Sequence, residues 1–161
     1  MTTNETLTLL ISCSTLALSL VVFVTSKQTS ERILEIENNN LKQNMAQTEL
    51  YIQELLVNAR TLFLNINLEK LKLAIDPTNV SLNAVADQLT LHSLQEILNA
   101  YEVACMKYLD AKIDKERFKK TYHQEIRQLF ETEGYKSLLD KANSFHAIKK
   151  VNTEWHNLEG S

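Results

Sequence analysis

Between Thr6 and Ser26 the chain sets 21 consecutive residues without a charge, a proline or a glycine. The heart of this run, Leu7 to Val24, reads LTLLISCSTLALSLVVFV. As a helix the full stretch rises about 31 Å, close to the roughly 30 Å of a bilayer's hydrocarbon core. In such a core a backbone has to satisfy its own hydrogen bonds, which a helix does and a loop does not. Residues 1–26 are therefore expected to form one transmembrane anchor. The competing reading is a secretory leader, which has a basic start and an apolar segment of only about 7–15 residues. MTTNET contains no Lys or Arg and the apolar run is longer, so an uncleaved anchor is the better reading. Lys27, Arg32 and Lys42 follow the run and no basic residue precedes it. The positive-inside rule then places the N-terminus outside and the larger part of the chain in the cytoplasm.

The hydroxyls in the run are ordered. Thr8, Ser12, Thr15 and Ser19 recur at i, i+4, i+7 and i+11, one face of a helix. They make two small-xxx-small pairs, which permit close approach of a second membrane helix. The alternative is that each hydroxyl bonds back to a carbonyl of its own helix. Both readings stand at this point.

Two Gly and one Pro among 161 residues are far below the usual ~7% and ~5%, which argues for long helices over turn-rich β structure. From Leu34 a four-three spacing appears: Leu34, Asn38, Leu41, Met45, Thr48, Ile52 and Leu55, continuing through Ala59, Leu62 and Ile66. Taken as heptads, Asn38, Met45 and Ile52 fall at a, and Leu34, Leu41 and Leu55 at d. A lone Asn at an a position fixes register and oligomeric state. Residues 27–50 are expected to be a coiled-coil-like stalk that makes the chain a homo-oligomer. Beyond Leu50 further apolar residues (Tyr51, Leu56, Phe63, Leu64, Leu68, Leu71) widen the seam into the face of a bundle core. Residues 51–158 are read as a helical domain.

Asp76-Pro77-Thr78-Asn79 breaks the pattern, since Pro ends one helix and opens another. A second helix follows from Leu82, with Leu94, Ile97, Leu98, Tyr101, Cys105 and Tyr108 on its apolar face. Asp114 is expected to cap a third helix and Gly134 to end it as a C′ glycine. A fourth, more broken helix runs from about Tyr135 to Trp155, with Asn143-Ser144 as its point of interruption. The fold class is all-α: an N-terminal transmembrane helix, a long stalk helix and a small antiparallel bundle.

The run ILNAYEVACMKYLDAKIDKERFKKTYHQEIRQLFE, with a Trp some twenty residues on, resembles a bacterial family of membrane-anchored proteins of unknown function. The residues that carry the resemblance are Leu98, Asn99, Tyr101 and Glu102, then Lys112-Ile113-Asp114, then Tyr122, Glu125 and Ile126, and last Trp155. It covers about residues 97–155 and implies an N-terminal span, a coiled stretch and a small helical domain. By association it also implies the bacterial inner membrane. None of its motifs is catalytic. Small bacterial proteins of this layout also include membrane effectors of phage defence, an analogy of layout alone.

Sites of chemistry are sparse. There is no Gly-rich phosphate loop, no G-x-S-x-G turn, and neither Cys13 nor Cys105 has a neighbouring His. His92 and Glu96 are spaced as ligands on one helix, but a helical metal site needs further carboxylates and none is patterned here. His123, His146 and His156 read as solvated. No catalytic residue, cofactor or metal is expected. Residues 107–150 carry eleven basic and seven acidic groups, a charge too diffuse to indicate nucleic acid. Glu102, at the edge of an apolar face, is open to two roles: a structural ion pair with Lys119 or Arg127, or the acid of a binding groove. Together these features point to a membrane-tethered, non-enzymatic interaction module with a protein partner. The alternative is a membrane-perturbing effector whose span oligomerises on activation.

Overall fold

The computed structural model describes residues 3–75, 80–141 and 144–159, without the side chains of 3–14, 17, 73–75, 80–83, 158 and 159. Among the described residues there are five helices and no strand: α1 (Thr3–Ile75), α2 (Val80–Leu109), α3 (Lys115–Glu131), α4 (Glu133–Lys141) and α5 (His146–Glu159). The fold is all-α. The break expected at Asp76–Asn79 lies outside the described residues, as do Ala142 and Asn143. Two compact units are formed, Met1–Gln43 and Asn44–Ser161.

The first unit is helix from Thr3 onward, and every side chain described in it is exposed, Leu20 and Phe23 included. The helix runs on through Lys27–Ser30 without a break. Thr29 donates to the carbonyl of Thr25 at 2.8 Å, and Thr25 to that of Val21 at 2.9 Å, so both hydroxyls are satisfied inside a running helix. Among the described residues no helix is long and apolar enough to cross a membrane. The side chains of Leu7 to Ser14 and of Ala17, which make up half of the expected span, lie outside them.

The second unit has a core to which all five helices contribute. α1 supplies Ile52, Leu56 and Ala59, spaced four and three so that they share one stripe, with Leu55 and Phe63 packed at its margin. The expected broad core face on α1 is narrower than this part of the sequence suggests. Tyr51, Leu64, Leu68 and Leu71 point away from the core and are exposed. α2 contributes Ile97, Leu98, Tyr101, Ala104, Cys105 and Tyr108. α3 contributes Phe118, Ile126 and Leu129, and α5 contributes Ile148, Val151 and Trp155. Each such aliphatic side chain stabilises the unit by about 1.5–3 kcal/mol through its burial.

Three helix ends define the geometry of this core. α2 closes with Ala111 at φ 53°, and the amide of Lys112 reaches the carbonyl of Lys107 at 2.9 Å while that of Ala111 reaches Tyr108 at 3.1 Å. This is a Schellman turn built without glycine. Asp114 then caps α3 as expected, accepting the Arg117 amide at 3.0 Å. Gly134 does not terminate α3. Thr132 is the C-cap, in extended backbone, and Gly134 sits in the first turn of α4. There a Cβ would stand 3.3 Å from Leu94 Cδ1, so the missing side chain lets α4 lie close to α2.

Candidate functional site

The apolar faces of α1, α2 and α3 meet around a small set of polar groups, and these define what the second unit can do chemically. The Arg60 guanidinium donates to the Tyr101 hydroxyl and to Glu125 Oε2, each at 2.6 Å. Tyr101 in turn donates to the same carboxylate oxygen at 2.6 Å. Three helices are thus tied at one point. Tyr101 is buried, whereas Arg60 and Glu125 are each about 40% accessible, at 42% and 39%. Burial pushes the Tyr101 hydroxyl well above the usual phenol range, and the hydrogen bond to Glu125 adds to this. The neutral phenol keeps its proton for the hydrogen bond to Glu125.

Glu102 is engaged by backbone amides of another helix. Its Oε1 accepts the Ala147 amide at 2.9 Å and its Oε2 the Ile148 amide at 3.0 Å. Glu102 thus caps the start of α5 from a different helix. The physical reason lies at the end of α5 itself. The residue before it is Phe145, which has no side-chain acceptor and stands at φ 65°. The first amides of α5 are left for an acceptor from elsewhere, and a carboxylate is the favoured group at a helix N-terminus. The contacts of Glu102 are those of a cap on α5.

Two further clusters follow the same logic. Trp155 donates its indole N–H to the Tyr108 hydroxyl at 3.0 Å, and Tyr108 donates to Glu154 at 2.8 Å. Both rings are buried, and each polar tip finds a partner. Lys115 lies 4.9 Å from the centre of the Tyr108 ring. Glu49 of α1 holds the Arg117 guanidinium at 2.6 Å and accepts the Asp114 amide at 3.1 Å, which steadies the cap of α3. His123, expected in solvent, is half-buried, its ring 5.5 Å from that of Trp155. His146 and His156 are exposed.

Among the described residues no group of three His, Cys, Asp or Glu side chains is placed to hold a metal. His92 and Glu96 stand 3.8 Å apart on an exposed helix face. Burial pushes the Cys105 thiol far up, which removes the thiolate that a nucleophile needs. Two open apolar depressions of about 260 and 270 Å³ lie between α1 and α2, one beside Leu62 and Ala100, the other beside Ile66 and Leu89. A wider one of about 1070 Å³, bordered by charged residues such as Lys115, Arg117 and Lys119, lies along the first turns of α3.

The residues expected to mediate self-association all lie on α1. Thr8 and Ser12 lie outside the described side chains; Thr15 and Ser19 are exposed, and Ser19 donates to the carbonyl of Leu16 at 2.8 Å. Leu34, Asn38 and Leu41 are exposed, Met45 and Leu55 are half-buried, and Ile52 lies in the core of its own chain. The groups missed from the sequence are Arg60, Glu49 and Glu154, while Glu125 enters the sequence reading only through the resemblance. The available signal was the buried tyrosines, because a phenol on an apolar face requires a polar partner nearby. No family model matches the chain, no curated protein matches its sequence, and no solved structure matches its fold.

Proposed function

We propose that the protein is a membrane-tethered, non-enzymatic interaction module of the bacterial inner membrane, with its helical unit on the cytoplasmic side. The observation that carries this reading is the run Thr6–Ser26, uncharged over 21 residues, whose described apolar side chains from Leu16 to Val24 are all exposed. Exposed Leu, Val and Phe along one helix are costly in water and favourable in lipid. The character of the second unit supports the non-enzymatic part. Tyr101, Glu102, Glu125 and Tyr108 each serve a contact between helices, and none has the geometry of a nucleophile with its base. Leu34, Asn38 and Leu41, exposed at heptad spacing, support self-association through the stalk.

The test is fractionation of the full-length chain expressed in bacterial cells. It is expected to sediment with membranes, to resist alkaline carbonate and to need detergent for release. Full-length protein in the aqueous fraction would overturn the reading. Protease added to the outside of intact spheroplasts should leave residues 44–161 uncut; their digestion would reverse the orientation.

A further inference from the structure

We propose that the outward stripe of α1, Val57, Thr61, Leu64, Leu68 and Leu71, is the surface through which the helical unit pairs with a second copy of itself, parallel and in register. The spacing of these residues is four, three, four, three. They lie on the order of 120° around the helix from the core line Ile52, Leu56 and Ala59. The four aliphatic members are each more than half exposed. This stripe is distinct from the heptad seam that begins at Leu34, because Ile52 and Ala59 of that seam are used up inside the core.

Three observations name the occupant. A stripe with heptad period on one straight face meets its own copy residue for residue about a two-fold axis. Its flanking charges are already compensated within the chain: Arg60 by Glu125, Lys70 by Asp87 and Lys72 by Glu69. Between Val57 and Leu71 the flanking charges are thus already engaged, which favours an equally apolar and uncharged face over a charged foreign helix. The area sets the strength. The four aliphatic side chains expose roughly 400 Å² together, so a two-fold contact hides about 800 Å², at the small end of transient complexes. Such a pair needs the high effective concentration that a shared membrane supplies, and to that extent it rests on the tethered reading.

At its N-terminal side the stripe is closed by Glu54, which occupies the next a position and in a parallel pair meets its own copy. This gives a test specific to the parallel register. In membranes carrying the full-length chain, Leu64→Cys should form a disulfide-linked dimer on mild oxidation. Its yield should be at least threefold that of the parent chain, which reports any background from Cys13, and of Asn58→Cys on the other side of α1. Glu54→Leu should raise the yield further, and Leu68→Glu should return it to the parent level without changing the thermal midpoint. Equal yields at positions 64 and 58, adducts with other proteins in place of a dimer, or no response to Glu54→Leu would overturn the proposal. Carbonate extraction of the same membranes separates the two readings. Chain that resists extraction but gives no dimer defeats the pairing alone; a dimer formed by extractable chain defeats the tether alone.

Discussion

Two stretches of α1 carry the same four-three spacing of apolar residues and end in opposite environments. In the first unit Leu34 and Leu41 are 59% and 58% exposed; in the second Ile52 is 1% exposed and Leu56 2%. Period alone does not choose between them. Spacing tells which residues share a face, but not what will cover that face. Near Ile52 the chain supplies α2 and α3, whose own apolar faces close over it. Around Leu34 no described residue of its unit covers the seam. The contrast teaches that a heptad is a demand for a partner, and that only the rest of the fold shows whether that partner is internal.

The strongest way to break this contrast is a pair of matched truncations. Ile52→Ala is expected to cost the second unit about 2–5 kcal/mol, read as a lowered denaturation midpoint with unchanged slope. Leu34→Ala should change the same midpoint by no more than about 0.5 kcal/mol. Comparable losses at both positions would mean that Leu34 is also buried, and would identify a stalk paired with a second copy.

Glu102 sharpens the comparison from the side of the polar groups, since Thr25 and Thr29 in the first unit bond within their own helix, whereas Tyr101, Glu102 and Tyr108 in the second bond across helices. Glu102→Ala removes the acceptor of two amides and is expected to cost about 1–3 kcal/mol. Hydrogen exchange at Ala147 and Ile148 should accelerate ahead of the remainder of α5. Unchanged exchange at those two amides would show that water caps the helix equally well.

Tyr101→Phe is expected to cost about 1 kcal/mol near neutral pH, the usual value of one buried hydrogen bond. Its pH signature is more specific. The folded phenol titrates above its unfolded value of about 10, so the unfolded chain loses this proton first. The stabilisation is therefore complete below about pH 10 and falls as pH rises past it. Tyr108, Tyr122 and Tyr135 are also raised, chiefly by burial, and contribute in the same direction. In a denaturation series from pH 9 to 11.5 the parent should lose stability more steeply than Tyr101→Phe. Parallel curves would mean that the other three tyrosines account for the whole effect.

What the sequence made legible follows the same division. The helical content, the cap at Asp114 and the apolar faces of α2 and α3 were readable, because each depends on residues a few positions apart. Glu102 was noticed as unusual, but its partners are amides 45 and 46 residues away, and no side chain in the sequence marks them. Arg60 gave no sign of its place between Tyr101 and Glu125, since an Arg in a helical pattern is ordinarily a solvated one. Gly134 was misplaced for a related reason. A glycine after an apolar run resembles a helix stop, while its use here is the close approach of Leu94, a contact set by tertiary packing.

The turn after α2 offers the smallest expected effect and the cleanest separation of local from tertiary causes. Ala111 adopts φ 53°, a conformation that costs an L residue roughly 1–2 kcal/mol and glycine almost nothing. The Schellman hydrogen bonds from Lys112 and Ala111 are made by backbone and remain with any side chain. Part of the gain from Ala111→Gly is offset by the greater freedom of glycine in the unfolded chain. A net stabilisation of about 0.5–1 kcal/mol is expected, seen as a higher denaturation midpoint. Because Ala111 is exposed, no packing contact is lost in the exchange. Ala111→Val is the converse, a β-branched residue in the same left-handed backbone, and should lower the midpoint by more than the glycine raises it. If both variants move the midpoint equally little, this turn opens without unfolding the core, and α2 and α3 are held together by their apolar faces alone.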